Sequence, residues 1–247
     1  MNKVALITGA AKGIGKAIAI ELAKNNYDIV INYLTSEKEA FALRQEIINT
    51  YKVNCLAIKA DVSNQVEVDA MVLEVENKLN GVDVLINNAA IDLSNLFSHK
   101  TTEEFKKTLE VNVVGAYNVS KRVAEHMLNN KFGRIINISS TNGINTYYPM
   151  SIDYDASKAA LISLTHNLAI QYAPYINVNA IAPGFIGTPS ELEGYDEEFL
   201  KQEEEKILVK RYGEPEEVAY LVSFLVSDKA NYINNSVLRI DGGQIGA

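Results

Sequence analysis

The chain has 247 residues, with 23 basic against 31 acidic side chains and a formal net charge of -8. That length suits one large α/β domain or two small ones, and 47% hydrophobic with 22% charged content excludes disordered and collagen-like chains. The negative balance, with no basic patch to offset it, repels phosphate backbones and anionic lipid headgroups, so neither nucleic acid nor membrane is an expected partner.

Short β-branched runs alternate with longer helical patterns. In chain order, residues 4–8, 29–33, 54–60, 84–87, 134–139, 177–181 and 237–240 read as strands. Residues 15–25, 37–50, 65–79, 102–129, 154–172 and 215–226 carry helical spacing, with Pro215 at a helix start. Strands apolar on both faces need helices above and below. The pattern therefore predicts a single doubly wound α/β domain over residues 1–247, a seven-stranded parallel sheet with right-handed crossovers and helices on both faces. No long repeat or low-complexity linker marks a second folding unit. Residues 188–213 interrupt the rhythm. This insertion, rich in acids such as Glu191, Glu193, Asp196, Glu197, Glu198 and Glu203 to Glu205, reads as a solvated helical excursion or as a substrate lid above the carboxyl ends of the strands.

Cys55 is the single cysteine, so no intrachain disulfide forms, and its apolar-leaning surroundings (residues 53–58) make it core filling rather than a nucleophile. Residues 1–9 hold only four consecutive apolar residues, too few for a secretory leader, and no later run is long enough to span a bilayer. A cytoplasmic location is expected. His99, His126 and His166 are scattered without metal-ligand spacing, so no metal is expected.

The first strand runs directly into Thr8-Gly9-Ala10-Ala11-Lys12-Gly13-Ile14-Gly15, and a helix follows at once. Lacking a Cβ, Gly9 can turn tightly, Gly13 can admit a pyrophosphate to the backbone, and Gly15 can bring helix and strand close. The helix start offers free N–H groups and a favourable dipole to phosphate. Further along stand Ala60-Asp61-Val62, Asn87-Asn88-Ala89-Ala90, Asn112, Ser140, Tyr154 with Lys158, and Pro183-Gly184. In this order, and with T-G-x-x-x-G-I-G in place of G-x-G-x-x-G, the chain resembles the short-chain dehydrogenase/reductase family along nearly its whole length.

The resemblance implies a nicotinamide dinucleotide, with Asp61 and Val62 at the adenine and Asn87 and Ala89 bordering the cofactor. After Pro183-Gly184, the Ile186 backbone and the Thr188 hydroxyl would meet the carboxamide and present the face that transfers the pro-S hydride. Ala90 departs from the family's usual glycine. NAD-binding members place an acid at the end of the second strand, but Ile31-Asn32-Tyr33-Leu34-Thr35-Ser36 has none before Glu37. Lys12 occupies the loop position that is basic in NADP-preferring relatives. NADP(H) is favoured and NAD(H) stays open, with Asn32 among the cofactor contacts where the acid would stand.

Tyr154 and Lys158, four residues apart at a helix start, share one face. A tyrosine with an ordinary pKa of about 10 is a poor acid or base near neutrality, and a neighbouring ammonium favours its ionised form. By the resemblance, Tyr154 is the general acid/base of a carbonyl–alcohol interconversion and Lys158 also holds the nicotinamide ribose. Ser140, three residues before Gly143, orients the substrate, and Asn112 holds a water that links the lysine to solvent. Ser139 reads as structural. Thirteen residues separate Ser140 from Tyr154, one more than in many relatives, which alters the substrate loop.

The branch resembled is the 3-oxoacyl-(acyl-carrier-protein) reductase-like one, on Lys12, Gly213-Glu214-Pro215-Glu216-Glu217-Val218-Ala219 and Asp241-Gly242-Gly243. Sugar, polyol and other small-molecule alcohol dehydrogenases share these motifs, so the carbonyl substrate is small or carrier-bound. An acidic carrier protein would want a basic docking face, for which Lys121, Arg122, Lys131 and Arg134 are candidates, whereas the acidic insertion opposes it. From another class, a non-catalytic dinucleotide sensor would dispense with Asn112, Ser140, Tyr154 and Lys158, and all four are present. Family members of this length usually form homotetramers through two long helices and their carboxyl-terminal strands, so a homotetramer is expected: Phe105, Leu109, Val113, Tyr117, Leu161, Leu164 and Leu168 exceed what one sheet face requires, and residues 237–240 end in a short tail suited to an isologous contact.

Overall fold

Alternate residues of the first strand face opposite ways: Val4 and Leu6 join one buried apolar cluster, while Ala5 and Ile7 join another. A strand apolar on both faces can be hidden only inside a three-layer sandwich. The computed structural model, which describes residues 2–244 without the side chains of 190 and 191, has that architecture. Strands β1 (Val4–Ile7), β2 (Asp28–Tyr33), β3 (Cys55–Lys59), β4 (Val84–Asn87), β5 (Gly133–Ile138), β6 (Ile176–Pro183) and β7 (Val237–Ile240) form one sheet. Their order is β3-β2-β1-β4-β5-β6-β7, and every neighbouring pair is parallel. The order reverses between β1 and β4, which opens a crevice at their carboxyl ends.

Helices α1 (Gly13–Lys24), α2 (Glu37–Tyr51) and α9 (Pro215–Val226) cover one face, inserting Ile18, Leu22, Leu43, Ile47 and Val222. On the other lie α3 (Gln65–Leu79), α5 (Gly115–Asn129) and α6 (Ile152–Tyr172), with Met71, Val75, Val123, Met127 and Leu168. Each such side chain, taken fully from water, stabilises the fold by about 1.5–3 kcal/mol. Local signals agree with the packing. The Asn64 side chain accepts from the Val66 and Glu67 amides at the start of α3, and α9 opens with Pro215 inside a Glu214–Glu217 capping box. Cys55 is buried, and burial pushes its thiol up to about 12, so it is inert filling.

The helical pattern over residues 102–129 is interrupted. It comprises α4 (Thr102–Leu109), a π turn over Glu110–Val114, and then α5, with right-handed helical backbone on both sides of each junction. A π turn inserts an extra residue into the helical hydrogen-bond ladder, and here it carries the buried Asn112. Residues 188–213 hold two short helices, α7 (Pro189–Leu192) and α8 (Glu197–Glu205), and a parallel bridge from Ile186 to Gly213 closes their base. The supposed surplus of apolar residues needs correction. Leu161 and Leu168 belong to the interior, while Tyr117 of that set is exposed, as are Val114, Leu128, Ile152 and Ile170 along the same helices. Among the described residues, no helix is long and apolar enough to cross a membrane.

Candidate active site

The glycine loop is shaped by what it must pass. Gly9 has φ +63, and a Cβ there would stand 2.9 Å from the Ala89 Cα, so β1 and β4 can end side by side only with glycine. Thr8 Oγ1 accepts from the Asn88 and Ala89 amides at 3.0 Å each, and Asn88 Nδ2 donates back to the Thr8 and Gly9 carbonyls. Gly13 has φ +53, and a Cβ there would meet Thr188 Cγ2 at 3.4 Å. The loop thus faces Thr188, beyond Ile186 and the Pro183-Gly184 turn. Lys12, the N-cap of α1, makes no side-chain hydrogen bond to the first turn, and the amides around Ile14 and Gly15 carry no side-chain cap. This turn, with positive φ at Gly9 and Gly13 and uncapped amides at the start of α1, fits a dinucleotide pyrophosphate.

Asn32 is held within the protein. Its side chain is buried, with Oδ1 accepting from the Gly9 amide at 3.2 Å and Nδ2 donating to the Ala60 carbonyl at 3.0 Å. It braces the glycine loop against the end of β3. Lys12 is more open and pairs with Glu39 at 2.9 Å. Asp61 accepts from the Ser63 amide and hydroxyl, and the Val62 carbonyl is held by Asn118 Nδ2 at 3.1 Å. Asn87 Nδ2 donates to Ser120 of α5 and to Asn137 of β5, and its buried Oδ1 has no hydrogen-bond partner among the described residues.

The second half of the site gathers where β5 ends. Lys158 is buried, and its ammonium donates to the Ile138 carbonyl at 2.8 Å and lies 5.2 Å from the Tyr154 ring centroid. Burial pushes this lysine down to about 8. Ser139 Oγ donates to the Lys158 carbonyl at 2.8 Å, the structural role expected of it. Ser140 caps a short 3-10 turn (Thr141–Gly143) by accepting from the Asn142 amide. That turn presses on α6 so closely that a Cβ on Gly143 would fall 2.6 Å from the Lys158 carbonyl carbon. Asn142 Nδ2 donates to Asp155 at 2.7 Å. Ser140 is therefore held beside the Tyr154–Lys158 turn. Asn112, on the π turn, exchanges two hydrogen bonds with the Ile91 backbone and donates to Ser157 Oγ at 3.0 Å, and Ser157 donates to the Tyr154 carbonyl.

The chain is similar to known proteins along nearly its whole length. Residues 9–244 match the family model described as enoyl-(acyl carrier protein) reductase. The chain is 38% identical to the 3-oxoacyl-(acyl-carrier-protein) reductase FabG of Staphylococcus epidermidis, over 98% of this chain and 99% of that one. It is 37% identical to the protein of the same name from Aquifex aeolicus, over 98% and 97%. The chain belongs to the short-chain dehydrogenase/reductase family. Among solved structures, acetoin dehydrogenase YohF from Salmonella typhimurium superposes with a TM-score of 0.89 at 34% identity, covering 99% of this chain and 96% of that one. Levodione reductase does so with a TM-score of 0.89 at 33% identity, covering 98% and 97%. This short-chain dehydrogenase/reductase is accordingly a nicotinamide-dependent oxidoreductase, and the sensor alternative falls away.

The insertion of this reductase is anchored, not freely solvated. Glu203 of α8 is buried, bonded to the Tyr148 hydroxyl and to Lys206 at 2.7 Å each. Burial, then the Glu203 carboxylate, pushes the Tyr148 phenol up. Phe185 stacks near Tyr212 at 4.9 Å, and Tyr195 on Phe199 at 4.5 Å. Of the four bases offered as a docking face, Arg122 is spent on Glu76 through two bonds of 2.7 Å, and Arg134 is buried against the Gly133 carbonyl and Asn231. Sequence reasoning passed over Asn88, Ser157 and the Tyr148–Glu203 contact. Asn88 lay inside the recognised motif. The other partners are brought together only by the fold.

The buried ammonium leaves a thermodynamic trace. Lys158 sits at about 8 in the fold and 10.5 in its ordinary state, so between these values the unfolded chain binds more protons and folding stability rises with pH. Below that window the folded chain carries a penalty of up to about 3 kcal/mol for the charge. Lys158→Met should therefore be favoured relative to wild type near neutrality, and the difference should shrink as pH rises from about 8 to about 10.5. Urea denaturation of the cofactor-free proteins across that range measures it, and a constant difference contradicts the account.

Proposed function

We propose that this reductase converts a 3-oxoacyl group carried on acyl-carrier protein to its 3-hydroxyacyl counterpart, using NADP(H) in the cytoplasm. The observation that carries the chemistry is the buried Lys158 ammonium, fastened to the Ile138 carbonyl and 5.2 Å from the Tyr154 ring. The name borne by relatives at 37–38% identity supports the substrate class. When bound, the nicotinamide supplies a hydride to the carbonyl carbon or accepts it in the reverse direction. Tyr154 donates its phenolic proton to the carbonyl oxygen as that oxygen gains charge, and Lys158 stabilises the tyrosinate left behind. Ser140 donates a hydrogen bond to the same oxygen. Lys158 also holds the nicotinamide ribose. Both Asn112 Nδ2 hydrogens are engaged, so a water linking Lys158 to solvent would donate to Asn112 Oδ1 or meet its backbone.

Thr8, Gly9, Gly13, Ile14 and Gly15 would hold the pyrophosphate, Asp61, Val62 and Ala89 the adenosine side, and Pro183, Gly184, Ile186 and Thr188 the carboxamide. Asn87 supports the sheet beneath. Residues 188–213 serve as the lid, docked on the substrate loop through Tyr148 and Glu203. A second reading, reduction of a small ketone, is favoured by the loss of Arg122 and Arg134 as docking charges. Parallel assays with acetoacetyl-acyl-carrier protein and with acetoin, read by nicotinamide absorbance, decide between them. Faster turnover of acetoin selects the second.

Tyr154→Phe is expected to lower kcat by about 10²–10⁴-fold with cofactor affinity kept, since the ring still packs while the proton is gone. Turnover near that of wild type overturns the assignment.

Calorimetric titration should give tighter binding of NADP+ than of NAD+, because no acid ends β2 and Lys12 lies on the loop. Equal or reversed affinities reject the proposed 2′-phosphate contact.

Assembly as a homotetramer is supported by exposed Val114, Tyr117 and Ile170 on α5, α6 and the turn between α4 and α5. Sedimentation equilibrium should report four chains together, and a species at the 27.2 kDa chain mass refutes it.

A further inference from the structure

We propose that Asp153 and Lys100, a buried ion pair not among the residues assigned above, are positioning residues that clamp the turn carrying Tyr154 and balance the charge its phenol meets. The inference rests on the reading of Tyr154 as the proton-transfer residue. Asp153 precedes Tyr154 in the first turn of α6 and is fully buried. The Lys100 ammonium lies 3.0 Å from its Oδ1, with that side chain 4% exposed. The contact is ionic rather than a well-aligned hydrogen bond. Thr108 Oγ1 donates to the other carboxylate oxygen at 2.7 Å. Lys100 also donates to the Leu93 carbonyl. One carboxylate thus ties together the segment after β4, the end of α4 and the start of α6. The Asn112–Ser157 bond joins the π turn to α6 one turn further on.

Stability alone does not account for such a pair, because apolar residues of similar volume stabilise a buried site as well or better. Its position suggests the other use. A lone carboxylate beside Tyr154 would oppose ionisation of the phenol, and a lone ammonium would favour it. Paired, they cancel. Burial by itself would raise the Asp153 carboxyl, but the Thr108 and Lys100 contacts hold it below its ordinary value, so it is charged at neutrality. Lys158 stands over the Tyr154 ring, and two further carboxyls interact with Asp153, Asp155 on α6 and Asp92 after β4. Burial pushes both of those carboxyls up. In the insertion, Glu203 carries its own countercharge, Lys206.

The test is an NMR titration of the Tyr154 ring in the full chain, with the resonance assigned through Tyr154→Phe. Lys100→Met should raise the phenol pKa by about half a pH unit or more, and Asp153→Asn should lower it by a similar amount. The double neutral variant should return to the wild-type value, as should Lys100→Arg. If Lys100→Met does not fold, Lys100→Gln, which keeps a donor for the Leu93 carbonyl, takes its place with the same expected sign. Single variants that leave the value unmoved, or that move it in one common direction, overturn the proposal. Failure of the underlying reading looks different: Tyr154→Phe would remain active, whatever the titrations show.

Discussion

One ammonium group withdrawn from water organises the catalytic end of this sheet. Lys158 has the Ile138 carbonyl as its hydrogen-bond acceptor, and that carbonyl is available because β5 ends there and the chain turns away. The turn must then leave room for the helix that bears the lysine. Gly143 has no Cβ because the Lys158 backbone occupies that space, and Ser139 fastens the Lys158 carbonyl from below. A buried charge with so few partners is costly. In the proposed mechanism that cost is offset by the negative charge that would arise on the Tyr154 phenol, over whose ring the ammonium stands.

The same economy governs the dinucleotide half. Its polar side chains are mostly turned inward to hold backbone in place: Thr8 and Asn88 lace β1 to β4, Asn32 ties the glycine loop to β3, and Asn118 holds the Val62 carbonyl. What is left facing the crevice is largely main chain, with N–H groups at the start of α1. A surface of oriented amides needs no reorganisation when an anion arrives. Side chains there act at one remove, so their loss would be felt as a misplaced loop rather than as a missing contact.

This division explains what could be read from the chain. Strands and helices were legible because apolar residues recur at the spacing each element demands, and Ile7 or Leu22 is buried wherever the sheet stands. Gly9 and Tyr154 with Lys158 were legible because steric need and chemistry confine them to fixed offsets. The bonds of Asn32 to Gly9 and Ala60 were hidden, because a polar residue at a strand end is equally suited to a ligand or to a neighbouring amide, and spacing does not separate the two. The π turn at Asn112 was hidden, since it changes the hydrogen-bond register without breaking the apolar period. Arg122 looked like a free charge until α3 brought Glu76 to it, and Lys100 meets Asp153 across 53 positions of sequence. Side-chain chemistry at long range is set by topology, which no local pattern contains.

Cofactor choice illustrates how weak contacts can still discriminate. Lys12 and Glu39 are both exposed, at 59% and 44% for their side chains, and a pair so open to water contributes little. Surrendering Glu39 to meet a phosphate is therefore cheap, but the gain from a single screened lysine is also modest. The stronger influence is a charge that is missing. An acid at the end of β2 would have to be desolvated against a doubly charged phosphate, whereas the buried Asn32 presents no charge at all. The proposed preference for the phosphorylated cofactor would then arise less from attraction at Lys12 than from the absence of repulsion at Asn32, and the same neutrality would leave the unphosphorylated dinucleotide without a carboxylate to receive its ribose hydroxyls.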